Sequence, residues 1–164
     1  MPKRIEAESL PTRAGTFYPP PFDQPCRARE RKRLGDAANL TQFGVNQLRL
    51  PPGSWSSQRH WHIKCDEFVY VLSGEVVLVT NEGEELLKPG DCAGFKAGDS
   101  NGHHFQNHSQ QDAILLEIGS RLAGDGAFYP DVDLVHPPEG KPALYTHRDC
   151  TPYTDIKLRT PEDR

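Results

Sequence analysis

Fourteen of the fifteen prolines in this 164-residue chain lie before Gly53 or after Ser120, and only Pro89 falls between. Proline fixes φ and removes a backbone donor, so it is kept out of central strands. The stretch 53–120 is therefore the part able to build continuous β ladders. Residues 1–30 are Pro-rich and polar (FYPPPFDQP) and read as an extended arm. Residues 121–164 carry YPDVD, HPPEGKP and CTPY and read as a tail lying over a surface. The division that follows is an N-terminal arm over 1–40, a barrel over 41–120 and a C-terminal tail over 121–164. The length supplies one core and no second domain.

The middle of the chain reads as β. VNQLRL (45–50) and EFVYVLSGEVVLVT (67–80) are rich in the β-branched and aromatic residues that suit a pleated surface. Ser73-Gly74 breaks the second run and suggests a hairpin, and Pro89-Gly90-Asp91 marks another turn. CAGF, HHFQN and AILLEI follow. About eight short strands with turn signals every 8–12 residues predict an all-β sandwich or small barrel. The best helical candidate is RARERKRLGDAANL (27–40), short and broken at Gly35. Its Arg27, Arg29, Arg31, Lys32 and Arg33 suit anion binding, but read more simply as a solvated face or as intersubunit salt bridges.

Composition excludes some functions. The net charge of −4 leaves no chain-wide basic field for gripping nucleic acid. No apolar run is long enough to span a membrane, and MPKRIEAESLPTRAG lacks the apolar stretch of a signal peptide. The expected compartment is the cytosol. The four cysteines, Cys26, Cys65, Cys92 and Cys150, form no CxxC pair and are expected as unpaired thiols.

Four of seven histidines sit in two tight groups. In RHWHIKCDEF, His60 and His62 share one face of a strand, because side chains alternate with period two. Two imidazoles on one face can hold one metal. Glu67 follows after a turn-length gap and can add a carboxylate, with Asp66 as its neighbouring rival. GHHFQN supplies His103 or His104 from far along the chain. Three imidazoles and a carboxylate suit a borderline divalent metal such as Mn, Fe, Ni, Cu, Zn or Co. Taken singly, each piece reads as an ordinary surface or core residue; the combination with the glycine spacing carries the signal.

That combination resembles the cupin superfamily. The first cupin motif is G, five residues, HxH, three or four residues, E, six residues, G. Here six residues separate Gly53 from His60-Trp61-His62, four precede Glu67, and six precede Gly74. The second motif is G, five residues, PxG, two residues, H, three residues, N. Here five residues separate Gly90 from Lys96-Ala97-Gly98, four precede His103, and three precede Asn107. Lys96 stands in the proline's place, and the loop before the histidine is two residues longer. The resemblance covers about 45–118 and looks like small bacterial single-domain cupins. It implies a double-stranded β-helix, a jelly-roll barrel, with a metal inside one mouth. The ligand roles carry over to His60, His62, Glu67 and His103. His103 is chosen over His104 because the motif sets the ligand four residues before Asn107, and Glu67 over Asp66 by its gap to Gly74.

Gln58 shares the parity of His60 and can face the mouth or solvent. Tyr70 and Phe68 lie opposite Glu67 and suit packing or an interface. Glu117, a charge in the apolar strand AILLEI, can be a base or an edge residue. Cys65 is expected as a loop thiol near the mouth. His108, His136 and His147 have no motif and are expected at the surface.

The chain looks like cupins described as sugar-phosphate isomerases of the phosphomannose type, with a polar small molecule as substrate. Dioxygenase, oxalate-decarboxylase-like and non-catalytic ligand-binding cupins are the alternatives. The arms carry aromatic anchors: Phe17, Tyr18 and Phe22 before the barrel, and Phe128, Tyr129, Tyr145 and Tyr153 after it. A disordered tail is poorer in aromatics. Both arms are therefore expected to lie ordered over barrel surface, with sheet faces or arms exchanged in a homodimer. Removing residues 1–30 is then expected to weaken association and leave the ligands untouched.

Overall fold

The computed structural model describes residues 4–138, 144–154 and 156. The remaining parts of the two arms, 1–3, 139–143, 155 and 157–164, lie outside the described residues. In chain order the strands are β1 (Arg13–Ala14), β2 (Glu30–Arg33), β3 (Phe43–Leu50), β4 (Trp61–His62), β5 (Glu67–Ser73) and β6 (Val76–Thr80), then β7 (Gly83–Leu87), β8 (Cys92–Phe95), β9 (His104–Gln106), β10 (Ala113–Ser120), β11 (Ala127–Tyr129) and β12 (Leu134–His136). The one described α-helix is α1 (Leu34–Ala37).

One sheet has the order β1-β2-β3-β10-β5-β8, and its ladders are antiparallel. Two three-stranded sheets, β7-β6-β9 and β12-β11-β4, complete the barrel wall. Their ends meet through the pair His60 and His103, whose backbones exchange hydrogen bonds at 3.1 and 2.8 Å. The alternation of β3, β5 and β10 sends Leu48, Leu50, Val69, Val71, Ala113 and Leu115 inward. They meet Val76, Leu78, Leu87 and Phe105 from the opposing sheet, and this dry layer is the main core. The fold is an all-β double-stranded β-helix, as the resemblance implies.

Two expectations are corrected. β5 and β6 do not pair as a hairpin: β5 pairs with β10 and β8, while β6 pairs with β7 and β9. Gly74 carries the chain between sheets at φ 71°, with a would-be Cβ only 2.5 Å from the Asp112 carbonyl oxygen. Only glycine fits there. The helical candidate 27–40 is also mostly not helix. Residues 30–33 add to the edge of β3, because strand alternation points Arg31 inward to a bidentate pair with Glu117 at 2.8 and 3.0 Å. Arg29 is buried and donates to the carbonyls of Gly15 and Ser56. Neither arginine belongs to a solvated face.

The arms build a second core. Tyr18 and Cys26 pack with Ala127, Tyr129 and Leu134, flanked by Phe22, Trp55, Tyr145 and Tyr153. The Tyr18 and Tyr129 rings meet edge to face at 5.6 Å. The tail is also paired into the barrel, since β11 binds β4 with Ala127 opposite His62.

Candidate metal centre

Glu67 opens β5 at one mouth of the barrel, in register with Phe95 on β8 and Gly119 on β10. His60 and His62 approach from the facing strand. Each Nε2 lies 3.6 Å from Glu67 Oε2. The donor atoms of His60, His62 and Glu67 all fall within 4.8 Å of one another, close enough to hold one metal ion. His103 Nε2 lies 3.0 Å from the same oxygen, though outside that mutual group.

The hydrogen positions follow from the partners. His60 Nδ1 lies 2.9 Å from the Gln58 carbonyl oxygen. A carbonyl only accepts, so Nδ1 carries the hydrogen and Nε2 turns a lone pair toward Glu67. His62 Nδ1 lies 2.7 Å from Asp125 Oδ2, with the same consequence. Glu67 Oε2 is buried and has no hydrogen-bond partner among the described residues. Toward His60 and His62 an acceptor oxygen thus faces acceptor nitrogens in a buried site, an arrangement that is costly until a cation fills it. The donor set of imidazole nitrogens and a carboxylate fits a borderline divalent metal.

The electrostatics show the same demand for positive charge beside Glu67. Burial opposes the Glu67 charge, yet contacts with His103 and His60 and the field of His60 and His62 hold its pKa well below the usual carboxylate value. Burial alone would lower His62, but the hydrogen bond to Asp125 and the charges of Glu67 and Asp125 raise it. Asp125, also opposed by burial, drops to about 2 through His62 and the Lys64 amide. Its Oδ1 accepts from the Lys64 and Cys65 amides at 2.8 and 3.2 Å, so the carboxylate orienting His62 is itself anchored. The sequence reading missed Asp125. It lies in the tail between two glycines, and no motif marks it.

The two histidines of GHHFQN part company. The His103 ring stacks on Phe95 with centroids 3.4 Å apart and faces Glu67. His104 turns to the other side, donating from Nδ1 to the Ser57 carbonyl at 2.9 Å and packing edge-on against Trp55. Burial pushes its pKa down to about 4. Asp66 is exposed and accepts from the Ala97 amide at 2.8 Å, away from the cluster. Asn107, fully buried, donates to the Leu50 and Gln111 carbonyls, both at 2.7 Å, and so locks the turn before β10.

Gln58 is buried but donates to the Phe22 carbonyl at 2.7 Å, tying down the N-terminal arm. Phe68 and Tyr70 are on the outer face. Cys65 is buried, and its sulfur accepts from the Leu122 amide at 3.4 Å. His108 is exposed beside Gln106; His136 bonds the Leu144 carbonyl, and His147 pairs with Asp133. Glu117 is no edge residue: β10 lies between β3 and β5, and Glu117 faces the interior against Arg31.

Glu67 and His103 wall two cavities at once. One, of about 350 Å³, is also lined by Ser57, Asn46, Arg31 and Glu117. The other, of about 530 Å³, is lined by Trp61, Thr80, Glu82 and Lys96. Both volumes suit a small molecule.

Residues 46–119 match the cupin domain family. No protein of curated function matches the sequence. The structure resembles a cupin-superfamily protein from Silicibacter pomeroyi described as a sugar phosphate isomerase, at 41% identity and TM-score 0.86, over 94% of this chain and 100% of that one. It also resembles an Acidithiobacillus ferrooxidans protein provisionally assigned the same activity, at 30% identity and TM-score 0.68, over 81% of each chain. A Thermotoga maritima protein predicted to be an oxalate decarboxylase shares the fold at 21% identity and TM-score 0.57, over 73% of this chain and 100% of that one. With its two histidine motifs closing on one another at the mouth of the barrel, the chain belongs to the cupin superfamily.

Proposed function

We propose that the chain is a metal-dependent isomerase of sugar phosphates, with His60, His62, Glu67 and His103 holding a divalent Mn, Fe, Ni or Zn ion. The observation that carries the metal is the buried Glu67 oxygen, unpartnered among the described residues and facing imidazole nitrogens. The Silicibacter relative supports the activity. A bound metal would supply a Lewis acid that polarises a substrate carbonyl.

The rest falls to the chain. Aldose–ketose exchange removes a proton beside the carbonyl and returns it to the adjacent carbon. In this proposal the task belongs to Glu117. Gly119 stands directly across from Glu67, so Glu117 is the diagonal neighbour of Glu67 on the inner face, about 7–8 Å away. Arg31 grips both Glu117 oxygens and fixes the carboxylate in the cavity. Phe105 and Val69 line the same space and limit its water. The four cysteines are unpaired, in keeping with a cytosolic setting.

Elemental analysis of the purified protein followed by a panel of aldose and ketose phosphates tests the proposal. One bound divalent metal and interconversion of one such pair are expected. Oxygen uptake, carbon dioxide release from oxalate, or ligand binding without turnover would overturn the isomerase. Glu67→Ala is expected to strip the metal while the apolar core keeps the barrel folded. His103→Ala is expected to do the same and His104→Ala to retain metal, and the reverse pattern would overturn the fourth ligand.

A further inference from the structure

The inner face of the large sheet carries an excess of guanidinium groups that the metal chemistry leaves unexplained. Strand register places Arg31 across from Leu48 and Arg33 across from Asn46, and Arg13 across from Arg31. Arg121 follows the end of β10 and lays its guanidinium over Gly44, with nitrogens 3.4 and 3.5 Å from the point where a Cβ would stand. With buried Arg29, five arginines gather at this side of the 350 Å³ cavity, three of them on its wall. Among the carboxylates facing them are Glu117, gripped by Arg31, Asp36, shared between Arg121 and Arg33, and Glu67 at the metal end of the same cavity. Arg29 is bonded to carbonyls, which leave its charge in place. Guanidinium groups are thus concentrated on this wall in a chain whose net charge is −4. Burial, and then the field of Arg13, opposed by Asp36 and reinforced by Arg31 and Arg121, lowers the pKa of Arg33.

The placement relative to the metal cluster gives this concentration of guanidinium groups a purpose. Across the sheet, Glu67 pairs with Gly119, and Gly119 pairs with Gly44. Neither glycine raises a side chain between Glu67 and the Arg121 guanidinium. Two strand spacings, about 10 Å of backbone, separate Glu67 from Gly44. The result is a trough with metal ligands at one end, guanidinium groups at the other and Glu117 along its side.

We propose that Arg121 and Arg33 form the subsite for the phosphate monoester of the substrate, whose carbonyl end reaches the metal cluster across Gly119 and Gly44. Guanidinium groups bind phosphate through paired, charge-assisted hydrogen bonds. That the ligand is a sugar rests on the isomerase reading; that the subsite takes phosphate does not.

The experiment titrates inorganic phosphate into the metal-free full-length protein by calorimetry, then into Arg121→Gln and Arg33→Gln. Thermal melting confirms that each variant is folded, and zinc titration confirms that its metal cluster is intact. The expected result is saturable phosphate binding, weakened about tenfold or more by either substitution with zinc affinity unchanged. Absence of binding to the parent protein, or equal binding by both folded variants, would overturn the subsite. Binding of malonate with phosphate inert would overturn the phosphate assignment. The metal-loaded protein is then offered triose, pentose and hexose phosphates. Phosphate binding with no turnover of any sugar phosphate would sink the isomerase and leave the subsite standing.

Discussion

A single carboxylate shows what the motifs of this chain hide. Asp125 touches no candidate donor atom of the cluster, yet its contact with His62 Nδ1 decides which imidazole nitrogen carries the lone pair. His60, His62 and Glu67 were legible in the sequence because they lie within eight residues of one another and their spacing encodes one strand face. Asp125 lies 63 residues from His62, and only the pairing of β11 with β4 brings it there. Asp125→Asn keeps the shape but offers an amide where the imidazole needs an acceptor. Metal affinity is expected to fall about 10–100-fold, read by competition with a chromophoric chelator, while the melting profile stays near that of the parent. His104 makes a different prediction. Its ring is neutral in the fold, with a pKa near 4 against 6.5 in the unfolded chain. Between those values the unfolded chain takes up a proton that the native state refuses. Stability therefore falls as pH drops from about 6.5 to 4, by on the order of 3 kcal/mol in total. His104→Gln should flatten this limb in denaturant titrations at stepped pH, and an unchanged slope would remove His104 as its cause.

At the scale of elements, proline position and apolar alternation were sufficient to place β3 to β10, because both act locally on each strand, but not β1, β2, β11 and β12 in the segments read as arms. Neighbour relations were not legible. The run 67–80 has two apolar halves and a glycine, which is also the pattern of a hairpin; what makes Gly74 a sheet-to-sheet crossing is the backbone of Asp112 and Ala113 pressed against it. Residues 30–33 were misread for a related reason. Their charges look helical and solvated in isolation, but Glu117 lies 86 residues from Arg31 and offers a partner only inside a sheet. The crossing can be tested against another glycine of the first motif. Gly74 and Gly53 both have positive φ, 71° and 77°, but a Cβ at Gly53 would meet nothing within 4 Å. Gly53→Ala should cost only left-handed strain, about 1–2 kcal/mol. Gly74→Ala adds a backbone clash and should cost about 2–4 kcal/mol. Equal shifts in the denaturant midpoint would show that the crossing is not tightly packed.

For the whole molecule, the question is what covers the outside of the large sheet. Phe68, Tyr70 and Leu72 alternate with the core-facing residues of β5 and are 39, 38 and 45% exposed. They form an apolar stripe on the sheet exterior, and such patches mark association surfaces. We propose that the homodimer expected from the sequence meets through this stripe, and light scattering at low micromolar concentration should give twice 18.4 kDa, about 37 kDa. Removing residues 1–30 is a poor test of it, contrary to the sequence expectation that the ligands would be untouched. The Trp55 amide donates to the Pro25 carbonyl at 2.8 Å, Arg29 donates to Ser56, and Gln58 donates to Phe22. These bonds hold the loop that leads into His60, so the truncation should weaken metal binding whatever the oligomeric state. Phe68→Ser combined with Leu72→Ser is the cleaner variant, because both side chains point away from the core and from Glu67. It should shift the mass toward 18.4 kDa with metal content unchanged. A parent protein that scatters as a monomer, or a dimer indifferent to both serines, would show that the stripe is not the contact.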